Sequence, residues 1–166
     1  GGGVPCAAFG FSAAIAERMT AARMALPPGH SGIGTTLSAN ALAIAAMRAM
    51  LEHVMTPDGY SHMTMLASAL VDGLNAVILR NRLPWHVSNV GARVELVCAP
   101  VPPRNGSEAR AAMDHPLEAL LHLMLVNRGV LLAPFHNMML VSPVTSTDQV
   151  ARLVERVDEC VSNMTR

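Results

Sequence analysis

The sequence predicts a two-part chain of mixed helix and strand. Residues 1–55 read as pieces of a larger layer, and residues 56–166 read as a self-contained small α+β domain. Two observations predict this. Apolar residues recur with a 3.6-residue period between 63 and 78 and again between 150 and 161, which marks amphipathic helices, while 85–98 and 130–142 break into short runs around Gly91 and Pro134, which marks strands. Residues 1–55 carry helix-forming stretches but one short strand-like run, so they have no sheet of their own to pack on.

The elements follow in order. A glycine loop opens onto a short small-residue strand at 4–9, punctuated by Gly10. Ser12 caps a helix at 12–24, which Leu26-Pro27-Pro28-Gly29 stops. Residues 30–36 are glycine- and hydroxyl-rich, a loop by composition. Ser38 is the expected N-cap of a second helix at 39–55, rich in Ala at 39, 41, 43, 45, 46 and 49. Pro57, preceded by Thr56, starts a third helix that runs to about Asn81 with Met63, Leu66, Leu70, Leu74, Val77 and Ile78 as its stripe.

Two short strands then surround Gly91. Residues 100–106 form a loop, a short helix begins at Ser107, and Pro116 opens a helix with Leu117, Leu120, Leu121 and Met124 inward and Gly129 just past its end. Strands are expected at 130–133 and 138–142. The last helix opens on a capping box of Ser146 and Gln149, and its stripe is Val150, Leu153, Val154, Val157 and Val161.

Composition limits the function. Half of the 166 residues are apolar (51%) and 14% are charged, which suits a buried core and not a disordered tail. Twelve basic residues balance twelve acidic ones, so the chain carries no electrostatic footprint for nucleic acid or an anionic membrane. No apolar run reaches the roughly 20 residues of a spanning helix, and no signal peptide opens the chain. Cys6, Cys98 and Cys160 are far apart without metal spacing, which predicts a reducing cytoplasm. The seven histidines form no metal motif, so no metal is expected; His53 and His62 read as helix-surface residues. All twelve basic residues are Arg, so no mechanism that needs a Schiff-base lysine is completed within these residues. Gly1-Gly2-Gly3-Val4-Pro5 lacks an initiator Met and reads as a joining sequence or the edge of a longer chain.

Three places can carry chemistry. Gly34, Thr35 and Thr36 lie in a glycine- and hydroxyl-rich run just before a helix, an arrangement that reads either as an anion site or as an ordinary capped loop. His136 and Asn137 stand in a turn between two expected strands, facing a ligand or satisfying their own backbone. Arg93 shares a strand face with Glu95 and Val97, opposite Val94 and Leu96. It reads as a carboxylate-binding residue or as one half of an i,i+2 pair.

Gly1-Gly2-Gly3-Val4-Pro5, followed by Gly34-Thr35-Thr36-Leu37-Ser38-Ala39-Asn40-Ala41 and by Asn127-Arg128-Gly129-Val130-Leu131-Leu132-Ala133-Pro134, resembles the class III aminotransferases, which use pyridoxal phosphate (PLP). The landmarks stand in the family's order, and the resemblance covers essentially the whole chain. Thr36-Leu37-Ser38 is similar to the glutamate-1-semialdehyde aminomutase-like branch. Pro102-Pro103-Arg104-Asn105-Gly106 and Pro134-Phe135-His136-Asn137-Met138 look closer to β-amino-acid aminotransferases of the β-phenylalanine type. The aminomutases usually carry a Ser and an acidic residue in the stretch matching 135–137, and this chain departs from them there.

The resemblance implies an α/β fold, fold type I of the PLP-dependent transferases. This chain would form its C-terminal part: strand, loop and linking helix of the PLP-binding large domain at 1–55, and the small domain at 56–166. It implies a catalytic lysine just upstream of Gly1, a homodimer in which Thr36 reaches the phosphate of the neighbouring subunit's PLP, and amino-acid and keto-acid substrates with His136 and Arg93 as contacts. An aminomutase using the same cofactor, an inert scaffold or dimerisation fragment, and a stand-alone phosphate-binding domain are the rival expectations.

Overall fold

The computed structural model describes residues 3–30, 34, 37–133 and 137–164. The chain divides into two compact units, Gly1–Thr56 and Pro57–Arg166.

In the first unit, α1 spans Ala13–Met24, and the Ser12 hydroxyl accepts from the Ile15 amide at 3.4 Å as the expected cap. Helix α2 spans Ala41–His53, and here the sequence reading is corrected. Ala39 has φ +54° and cannot continue a helix, so the cap is Asn40 and not Ser38. Its Oδ1 accepts from the Ala43 amide at 3.0 Å and its Nδ2 donates to the Leu37 carbonyl at 3.0 Å. Residues 4–9 form no strand, because a strand is made by its ladder partner and the described residues hold none for this segment. Among the described residues of this unit only Ala43 is buried, while Phe9, Leu37, Leu42 and Leu51 are exposed.

The second unit has a core. Helix α3, Pro57–Arg80, buries the expected stripe of Met63, Leu66, Leu70, Leu74 and Val77, with Ile78 partly covered. By length and composition alone it would pass for a membrane span, contrary to the sequence reading. Its apolar content is explained by that core face. Strands β1 (His86–Val90), β2 (Arg93–Val97) and β3 (Met138–Leu140) form an antiparallel sheet in that order. Gly91, with φ +56°, supplies the turn between β1 and β2. Register pairs Ser88 with Glu95, Val90 with Arg93, and Arg93 with Leu140.

Val94 and Leu96 are buried and α3 packs on β1 and β2, so α3 lies on their side of the sheet. Helix α4, Gly106–Ala111, is capped by Asn105, and α5, His115–Val126, by Asp114. Leu121 and Leu125 of α5 enter the core, whereas Leu120, expected inward, is exposed. Helix α6, Thr147–Met164, opens on the capping box: the Ser146 amide donates to Gln149 Oε1 at 2.8 Å, and the Gln149 amide to Ser146 Oγ at 3.2 Å. His62 is no free surface residue, since its Nε2 lies 2.8 Å from the Thr145 carbonyl and ties α3 to the start of α6.

The expected strand at 130–133 is absent. Val130 and Leu132 pack on the core and Leu131 is 84% exposed, so the alternation is that of a strand, but no described residue ladders with it.

Candidate functional site

The loop entering α2 borders a cleft of about 730 Å³ in the first unit. Three layers of sequence build it. Pro5, Cys6, Phe9 and Phe11 come from the opening segment, Gly34 and Leu37 to Asn40 from the loop, and Ala43, Ile44 and Met47 from α2. Phe9 and Phe11 lean on one another with ring centroids 5.8 Å apart.

Gly34 is the constrained point. Its φ is +106°, and a Cβ placed on it would stand 3.0 Å from Ser38 Oγ. The backbone angle therefore demands glycine, and a side chain would also press on Ser38. Ser38 and Asn40 lead into the first turn of α2, where the amides not satisfied by Asn40 carry the positive end of the helix dipole. A glycine lining the cleft beside a helix start is compatible with a phosphate group there. Thr35 and Thr36 lie outside the described residues. The sequence reading missed Asn40 as the cap, although Asn three residues before Ala43 is itself a capping signal.

Arg93 sits at the start of β2 on the outer face of the sheet, and its guanidinium meets Glu95 at 2.6 Å. The i,i+2 pair is thus formed. His136 lies outside the described residues. Asn137 is 2% exposed, has φ +42°, and its Nδ2 has no hydrogen-bond partner. The described residues contain no cluster of His, Cys, Asp and Glu able to hold a metal ion.

Cys98 is inert by its surroundings. Burial first, then the negative charges of Glu118 and Asp114, push its thiol up to about 12.

No family model matches the chain. A glutamate-1-semialdehyde 2,1-aminomutase of Anaeromyxobacter is 34% identical over 125 residues, 75% of this chain and 28% of that protein. Among solved structures, a glutamate-1-semialdehyde aminomutase from Pseudomonas aeruginosa is 46% identical with a TM-score of 0.86, over 93% of this chain and 35% of that one. A lysine-to-alanine variant described in the same terms was crystallised with PMP. A β-phenylalanine aminotransferase from Variovorax paradoxus shares the fold at 24% identity and TM-score 0.70, over 82% of this chain and 31% of that one. The chain spans about a third of the length of these relatives. Its sequence and fold together place it in the class III pyridoxal-phosphate-dependent aminotransferase family, as a stretch of the α/β fold type I transferase.

Proposed function

We propose that the protein to which these residues belong is a PLP-dependent aminotransferase that moves an amino group from an amino acid, a β-amino acid by the likeness of 134–138, to a keto acid. The observation that supports the reading is the likeness in sequence and fold to PLP-dependent aminomutases and transaminases, with Gly34 lining the cleft beside the start of α2. When bound, PLP supplies the electron sink for the reaction. Residues 1–55 contribute the phosphate-facing part: Gly34 and Thr35 shape the loop, and the Thr36 hydroxyl donates to the phosphate of the neighbouring subunit's cofactor in a homodimer. These 166 residues contain no lysine; by the family resemblance, the one that would hold the cofactor lies just upstream of Gly1. The second unit lines the substrate pocket, with His136 and Arg93 as contacts; Arg93 would exchange Glu95 for a substrate carboxylate. Three unpaired thiols support a cytoplasmic setting.

The second reading is an aminomutase, which returns the amino group to the same carbon skeleton. The names of the relatives at 34% and 46% identity favour it. A turnover assay of the full-length protein separates the two: a β-amino acid consumed only when an external keto acid is added supports the aminotransferase, and isomerisation without a keto acid supports the aminomutase.

The cofactor reading has its own test. A charge-assisted hydrogen bond to phosphate is worth about 1.5–3 kcal/mol, so Thr36→Ala in the full-length protein should weaken PLP retention about ten- to a hundred-fold. Unchanged cofactor affinity would remove Thr36 from the site.

A further inference from the structure

Asn105 is the one asparagine in the sequence that a glycine follows. It ends the exposed, proline-containing loop at 100–105 and caps α4. Its side-chain oxygen accepts from two backbone amides, Ser107 at 3.1 Å and Glu108 at 3.0 Å. Two donors on one carbonyl oxygen draw electron density from Cγ, and they would stabilise negative charge formed on that oxygen if Cγ were attacked. The nucleophile next along the chain is the amide nitrogen of Gly106, and its attack on Cγ closes a five-membered ring.

Gly106 leaves that attack unhindered. A Cβ there would meet no atom within 4 Å, so the space around the residue is open, and without a Cβ the peptide turns readily. Asn105 has ψ 170°, so the peptide bond to Gly106 must swing toward the side chain before the ring can close. Little opposes that swing. Helix α4 has 6 residues, none of them buried, and a helix so short holds its first turn weakly. Every other asparagine is followed by a residue with a side chain. Some are also tied down: Asn81 donates to the Val77 carbonyl and to Asp158, and Asn89 is laddered within β1.

We infer that Asn105 is a site of spontaneous covalent modification, at which the Gly106 nitrogen displaces ammonia from the side-chain amide. The Gly106 amide loses its proton to water or hydroxide, and its nitrogen bonds to Cγ. The Cγ–Nδ2 bond breaks, and the nitrogen leaves as ammonia after taking a proton from solvent. Water then opens the cyclic imide at either of its two carbonyls, leaving aspartate or isoaspartate at position 105, with nothing oxidised or reduced. Both products set a new carboxylate near Glu108, which Arg104 already binds at 2.7 Å. Isoaspartate also adds a methylene to the main chain and withdraws the capping oxygen from Ser107 and Glu108.

The test is timed incubation of the full-length protein, with peptide mapping that separates the asparaginyl, aspartyl and isoaspartyl forms of each peptide. Asn105 should convert before any other asparagine of residues 1–166, both products should appear, and conversion should quicken from pH 6 to pH 8 as the attacking nitrogen loses its proton more readily. Gly106→Ala, which the open space accommodates, should slow conversion about ten-fold, a rise of about 1.4 kcal/mol in the barrier. Conversion no faster at Asn105 than at the other asparagines, an aspartyl product alone, or an unaltered rate in Gly106→Ala would overturn the inference.

Discussion

Gly73 on α3 and Val154 on α6 touch so closely that a Cβ on the glycine would stand 2.7 Å from Val154 Cγ2 and 3.1 Å from its Cγ1. The two helices cross where one has no side chain. Because both γ-carbons are near, rotating the valine does not clear the space, and α6 must move. Overpacking of this kind costs about 1–3 kcal/mol, against which alanine in place of a mid-helix glycine returns about 1 kcal/mol. Gly73→Ala should therefore lower the urea midpoint, and Val154→Ala in the same chain should restore much of the loss. Coupling near zero between the two substitutions, read from a double-mutant cycle, would show that the crossing tolerates the methyl.

The Asn40 side chain serves both sides of its own position, accepting from Ala43 and donating to Leu37. Its replacement by Ala removes a helix cap, at a cost of about 1 kcal/mol, and unties the loop that carries Gly34. Amide exchange in the first turn of α2 should quicken several-fold in Asn40→Ala, and little in Ser38→Ala. If Ser38→Ala had the larger effect, Ser38 would be the working cap.

The contrast between those two residues shows what the sequence reveals. The Ser146–Gln149 box and the stripe of α6 are local, since their partners lie three or four positions away, and they are legible directly. The α2 cap was misplaced because Ser38 and Asn40 are both good caps, and the choice rests on the left-handed backbone of Ala39, which alanine does not announce. The segment at 130–133 alternates like a strand, but a strand is decided by a partner elsewhere in the chain. Arg93 gave two readings from composition, and only the 2.6 Å approach of Glu95 shows the pair that forms. Gly34 is legible as a loop glycine, while its φ of +106° is not.

The thiols should report pH in a definite direction. Cys98 is raised to about 12 from an ordinary 9.0, chiefly by burial. Between those values the unfolded chain has lost the thiol proton and the folded chain keeps it. Unfolding is then favoured by rising pH: this contribution to stability is fully present below pH 9 and is lost as pH climbs toward 12. Cys160 is raised as well, again chiefly by burial. Alkylation at pH 8 should modify Cys6 first and leave Cys98 and Cys160 protected until the second unit unfolds, as peptide mass mapping would reveal. Early labelling of Cys98 would contradict its buried setting.

The loop at Gly34 makes the sharpest demand on a single position. An L-residue there meets the strain of φ +106° and a contact 3.0 Å from Ser38 Oγ at once. The left-handed backbone alone costs roughly 1–2 kcal/mol, and relief requires the backbone at position 34 or the Ser38 side chain to shift. In the full-length protein, Gly34→Ala should weaken PLP retention by about ten-fold or more, measured by cofactor release on dilution. The melting of the second unit should be unchanged, because Gly34 belongs to the first. Retention equal to the parent protein would mean that the loop's shape is not what the phosphate reads, and the cradle would have to be sought elsewhere on the cleft.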